Sequence, residues 1–133
     1  MADVVSWDDK YLIGVKTVDN QHKQLFGHLN SFHESLSANK GKETVNNVLN
    51  NLIDYAVYHF AEEEKVMDSI KGTNFLSHFE EHISFCAKVS ELKAKVFLGE
   101  EISYELFDFV KDWLVNHIML SDQKIGEAYN KNM

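Results

Sequence analysis

Between Phe75 and Val96, residues able to face a core recur without a break at intervals of three and four: Phe75, His78, His82, Phe85, Val89, Leu92 and Val96. With about 3.6 residues per turn, an α-helix places such a series on one face, whereas a strand would scatter it over both. The same spacing recurs three more times. It runs through His22, Leu25, Phe26, Leu29, Phe32 and Leu36, then through Val45, Val48, Leu49, Leu52, Ala56, His59, Phe60, Glu63 and Met67. It ends with Leu106, Phe109, Val110, Trp113, Leu114 and His117. The chain of 133 residues contains no proline, the residue that most often breaks a helix.

Glycine punctuates these stripes at Gly41, Gly72 and Gly99, where a left-handed residue can end a helix. Helices are predicted over 19–38, with Asp19 as N-cap, 42–69, 74–97 and 103–120. Residues 1–18 read as an extended arm across the bundle, and 121–133 as a tail with a turn or two of helix. Four amphipathic helices on short connections imply antiparallel neighbours. The predicted fold is all-α: one domain, an up-down-up-down four-helix bundle with an N-terminal arm and a short C-terminal helix.

Six polar residues interrupt the apolar stripes: His22, His59, Glu63, His78, His82 and His117. Burying a polar group without a partner costs ~1–3 kcal/mol, so six together need a shared partner. They fall near the start of the first helix, the end of the second, the start of the third and the end of the fourth. An up-down-up-down path brings those four places to one end. His59 and Glu63, like His78 and His82, are four apart, so each pair can reach one centre. Asp122 is the remaining ligand candidate, but a residue five after His117 points ~140° away in a regular helix. It joins the site only if the helix ends or distorts between Ile118 and Ser121, with Ser121 available to cap a new short helix. Five imidazoles and two carboxylates exceed a tetrahedral zinc site, which closes with four donors. So many histidines disfavour calcium and magnesium; iron, copper, nickel and zinc stay open.

The pattern His22 … His59-Phe60-Ala61-Glu62-Glu63 … His78-Phe79-Glu80-Glu81-His82 … Trp113-Leu114-Val115-Asn116-His117-Ile118-Met119-Leu120-Ser121-Asp122 resembles the hemerythrins, most closely the single-domain bacterial ones. The resemblance spans the whole chain, including the arm with Trp7-Asp8 and the Gly14-Val15 approach to the first helix. It implies two iron ions with an oxo or hydroxo bridge. One would be held by His78, His82 and His117, the other by His22 and His59, with Glu63 and Asp122 bridging. The two-histidine iron would keep an open position for molecular oxygen. Leu25, Phe60, Trp113 and Leu114 would line the pocket, Leu114 nearest the oxygen. The implied function is reversible oxygen binding, as carrier, store or sensor, rather than enzymatic turnover.

An oxidase or peroxidase-like enzyme is the alternative. Carboxylate-rich di-iron oxidases carry Glu-x-x-His pairs that this chain lacks, so at most a weak peroxidase-like side activity is expected. A structural zinc bundle is a third reading. His28 and His33 fall outside the ligand layer, and Cys86 reads as a small buried hydrophobe rather than a ligand. Glu62 and Glu64 are expected to face solvent. A net charge of -8 argues against nucleic acid, and no apolar run nears the ~20 residues of a membrane span. One cysteine and no recognisable leader fit a cytoplasmic protein.

Overall fold

The computed structural model describes residues 4–131. Five α-helices carry the fold: α1 (Lys16–Ser37), α2 (Lys42–Ser69), α3 (Leu76–Phe97), α4 (Ser103–His117) and α5 (Gln123–Lys131). Each of α1 to α4 packs against the next, and α4 returns to α1, which closes an antiparallel four-helix bundle. No strand occurs among the described residues. No helix among them is long and apolar enough to cross a membrane.

Most of the predicted stripes are buried. Leu25, Leu29, Phe32, Leu52, Phe85, Leu106 and Leu114 are almost wholly enclosed, and Val48, Phe109 and Trp113 pack at the margin. Phe107 also enters the core, although it falls beside the predicted stripe of α4. A second apolar cluster sits at the other end of the ligand-bearing layer. It joins Ile13 and Val15 from the arm, Val18, Met67, Ile70 and Ile125, with Phe75 and Phe79 beside them. The polar layer is therefore sandwiched between the main core and a small lid of apolar side chains.

The helix ends differ from expectation in instructive ways. Helix α1 starts at Lys16, and Asp19 lies inside it rather than capping it. Its carboxylate instead accepts hydrogen bonds from the backbone N–H groups of Ile13, at 2.8 Å, and Gly14, at 3.2 Å, and so ties the arm to the helix. The left-handed residue that closes α1 is Asn39 (φ 52), while Gly41 (φ 91) is the N-cap of α2. Lys40 N–H to Ser35 and Asn39 N–H to Leu36 complete the closing motif. Gly99 (φ 96) does the same for α3.

The arm is not extended throughout. Asp8 accepts from Lys10 N–H and starts a 3-10 turn over Asp9–Tyr11. Asn30 then clamps the arm to α1, accepting from Val5 N–H at 2.9 Å and donating to Val5 O at 2.8 Å.

Helix α5 presses on the arm at Gly126. A Cβ there would stand 1.8 Å from the carbonyl oxygen of Ile13. Because the obstacle is backbone, Gly126→Ala is expected to cost at least the ~1–3 kcal/mol typical of overpacking. Gly27→Ala on α1 meets nothing within 4 Å and should instead stabilise by roughly 0.5–1 kcal/mol. Urea midpoints of the two variants, compared with the parent at unchanged m-value, test the contrast.

Candidate metal centre

His22, His59, Glu63, His78, His82, His117 and Asp122 come together at one end of the bundle, each at most 6% exposed. Helices α1 to α3 deliver five of these residues by ordinary helical spacing, and α4 delivers His117. Asp122 arrives by a different device. Helix α4 does not stop for a new cap at Ser121; it passes through a π-helical turn over Ile118–Asp122 and continues directly as α5. A π turn is closed by bonds five residues apart, so it brings residues at that separation onto one face. That is the offset between His117 and Asp122.

The two carboxylates divide the histidines. Glu63 directs Oε1 at Nε2 of His78 (2.7 Å), His82 (3.1 Å) and His117 (3.6 Å). It directs Oε2 at Nε2 of His59 (3.0 Å) and His22 (3.6 Å). Asp122 repeats the division, with Oδ1 3.1 Å from both His78 and His117 and Oδ2 2.9 Å from His22. Two overlapping donor groups result: Glu63, His78, His82 and His117, and His22, His59, Glu63 and Asp122.

These are not well-formed hydrogen bonds throughout. Nε2 of His22, Oε2 of Glu63 and both oxygens of Asp122 are buried without an aligned partner, despite their short separations. Nε2 of His82 and Nε2 of His117 face each other at 3.2 Å. Such atoms aim at common points rather than at one another. Donors about 2.1 Å from an ion and at right angles to each other lie about 3.0 Å apart, the separation seen here. The donor set therefore fits metal ions.

Electrostatics agree. Burial works to lower the pKa of His22, yet Asp122 and Glu63 outweigh it and hold the group at about 9. The same balance lifts His78 to about 8 and His117 to about 10. Burial and Glu63 push Asp122 up, but His117, His22 and His78 bring it down to about 2. Glu63 is held well below the usual carboxylate range: burial opposes this, and His117, His22, His59 and His78 prevail. In the metal-free layer, protonated histidines therefore supply the positive charge that the two buried carboxylates face.

A chain with this bundle has known relatives. The family model described as Hemerythrin HHE cation binding domain matches residues 13–129. The chain belongs to the hemerythrin family. It is 33% identical over 135 residues to a bacteriohemerythrin of Pseudomonas aeruginosa, covering all of this chain and 86% of that protein. Myohemerythrin-1 of Phascolopsis gouldii is 35% identical over 119 residues, covering 89% and 88% of the two. A crystal structure of wild-type hemerythrin superposes with a TM-score of 0.85 at 31% identity, over 95% of this chain and 98% of that one. Hemerythrins are oxygen-binding carriers rather than enzymes, and a hemerythrin domain implies a non-haem di-iron site.

Around this hemerythrin layer the structure adds residues that the sequence reading missed. Gln21 Oε1 lies 2.7 Å from Nδ1 of His59. Glu64 Oε2 lies 2.9 Å from Nδ1 of His82. Glu81 Oε2 lies 3.2 Å from Nδ1 of His117. Each follows or precedes a layer residue on its own helix and reaches the histidine of the next helix around the bundle. That adjacency is the one signal available in the sequence. Glu64 thus departs from the solvent-facing role expected of it, whereas Glu62 pairs with Lys65 at the surface.

Among the proposed pocket residues, Leu25, Phe60 and Leu114 are buried and Trp113 is half-buried. Phe60 stacks on His82 at 4.0 Å and Trp113 on His117 at 4.3 Å, so both rings fix ligand orientation. His28, half-buried, packs on Tyr55, and His33 packs on Phe107; neither enters the layer. Cys86 is only partly buried and also stays outside it. A surface cavity of about 250 Å³ between the arm and α4, lined in part by Val5, Tyr11, Lys111 and Asn116, includes none of the seven.

Proposed function

We propose that this hemerythrin binds molecular oxygen reversibly at a non-haem di-iron centre, as a carrier, store or sensor in the cytoplasm, with the chain acting as one domain. The division of each carboxylate's two oxygens between the two histidine groups carries the reading. It is the arrangement two bridged metals need and one metal does not. On this reading His78, His82 and His117 would hold one iron, His22 and His59 the other, and Glu63 and Asp122 would serve both. Two irons held by these residues would supply the redox chemistry that reversible oxygen binding needs.

The protein's own part follows from the residues. Three histidines on one side and two on the other would offer the second metal one donor fewer, as a ligand-binding rather than a structural metal requires. Leu25, Phe60 and Leu114 close the layer to water. Leu114, one turn before His117, is the residue proposed nearest the bound gas.

The test is an anaerobic load with ferrous iron, a count of irons per chain, then admission of oxygen and a sweep with inert gas. A visible charge-transfer band that rises with oxygen and vanishes on sweeping supports the reading. Irreversible conversion to a ferric spectrum would move the function towards oxidation chemistry. A second measurement addresses the ligands. At about pH 7 metal must displace protons from His22, His78 and His117, whose pKa values stand above that pH. Loading in a weakly buffered solution with a pH indicator is expected to release at least about three protons per chain. Release of less than about one would sink the assignment of those histidines.

A further inference from the structure

The outer nitrogens of the histidines meet unlike partners on the two sides of the layer. On the three-histidine side, His82 faces the Glu64 carboxylate and His117 faces the Glu81 carboxylate. On the two-histidine side, His59 faces the neutral amide of Gln21, and the buried Nδ1 of His22 has no aligned partner among the described residues. Two negative charges therefore back one donor group, and none backs the other. With Nε2 turned to a metal, Nδ1 carries the proton and donates outward; a carboxylate acceptor makes the imidazole a stronger donor to the metal than an amide does.

We infer that Glu64 and Glu81 are positioning residues that set an electronic difference between the two metals, so that the first electron lost is drawn from the side held by His78, His82 and His117. The inference rests on the di-iron reading above. The electron passes to an outer-sphere one-electron oxidant, and the retained negative charge of Glu64 and Glu81 offsets the positive charge gained. Glu64 should matter more. It makes an aligned hydrogen bond at 2.9 Å, whereas Glu81 Oε2 sits at 3.2 Å out of line. Both side chains are partly exposed, 33% and 44%, so solvent moderates their effect.

The experiment is a mediated redox titration of the iron-loaded protein, followed optically, on the parent and on Glu64→Gln, Glu81→Gln, Gln21→Glu and Glu62→Gln. Glu64→Gln is expected to favour the reduced state in the first one-electron step by up to about tenfold, an upward shift of up to about 59 mV. Glu81→Gln should shift the same step the same way by less. Gln21→Glu should lower chiefly the second step. Glu62→Gln removes the same formal charge beside Glu63 but away from any histidine, and should leave both steps in place. Equal shifts in Glu62→Gln and Glu64→Gln would overturn the inference, as would no shift in Glu64→Gln at full iron content. Loss of iron from both Glu64→Gln and Glu81→Gln would reduce these residues to a structural role and overturn it too. Failure of the parent to hold two irons would instead sink the di-iron reading itself.

Discussion

Replacing Glu63 with alanine is expected to abolish the two-metal site and to remove more stability from the metal-free chain than any other single substitution in the layer. Glu63 is fully buried and faces all five histidines. Its loss leaves Asp122 as the one carboxylate, which meets His22, His78 and His117 but not His59 or His82. Breaking a buried ion network by removing one partner costs roughly 3–5 kcal/mol, because the remaining charges are left uncompensated. Against the 5–15 kcal/mol that typically holds a domain together, that is enough to make the metal-free fold marginal. Glu63→Gln preserves volume and one oxygen, so it can serve one histidine group but not both. Iron analysis after gel filtration should give two irons per chain for the parent, about one for Glu63→Gln and fewer for Glu63→Ala. Retention of two irons by Glu63→Ala would show that the carboxylate does not bridge.

The stripes were legible in the sequence because helical burial repeats at three and four, and six layer residues fall on that repeat. Their convergence was legible because an up-down-up-down path puts alternate helix ends together. Asp122 was legible only as a condition, since five residues after His117 is the wrong spacing for an α-helix. The π turn over Ile118–Asp122 supplies the missing rotation without breaking the helix, and no residue type announces it. Ser121, the expected cap, lies inside that turn. The outer partners were obscured for another reason. Gln21, Glu64 and Glu81 each stand one position off a layer residue, where side chains usually reach solvent. What turns them inward is the histidine on the neighbouring helix, and that depends on packing between helices rather than on spacing within one. Asp19 followed the same logic: its acid looked like a cap, but the arm folds back and supplies the N–H groups of Ile13 and Gly14 instead.

Removing the metal is expected to change not only the stability of the chain but the direction in which that stability responds to pH. In the metal-free protein, His22, His78 and His117 have pKa values raised to about 9, 8 and 10. Groups raised above their unfolded value contribute stability that is fully present below about pH 6.5 and is lost as pH climbs through those folded values. Asp122, lowered to about 2, and Glu63, lowered likewise, contribute stability present above about pH 4 and lost as pH falls through their folded values. The metal-free chain should therefore be most stable between about pH 4 and 6.5, and should weaken above that as imidazoliums discharge and leave two carboxylates face to face. Each pKa unit corresponds to ~1.4 kcal/mol, so the loss across this range is on the order of several kcal/mol. Metal reverses the sign, because it binds neutral imidazole and competes with protons, so its hold strengthens as pH rises. The gap in melting temperature between loaded and chelated protein should then widen from about pH 6 to about pH 9, by roughly 10 °C or more at ~3–5 °C per kcal/mol for a chain of this size. Thermal melts of both forms at the two pH values measure it directly. A chelated form whose melting temperature is flat or rises over that interval would mean that the layer is not held by paired imidazolium and carboxylate, and the charges assigned to it here would have to be withdrawn.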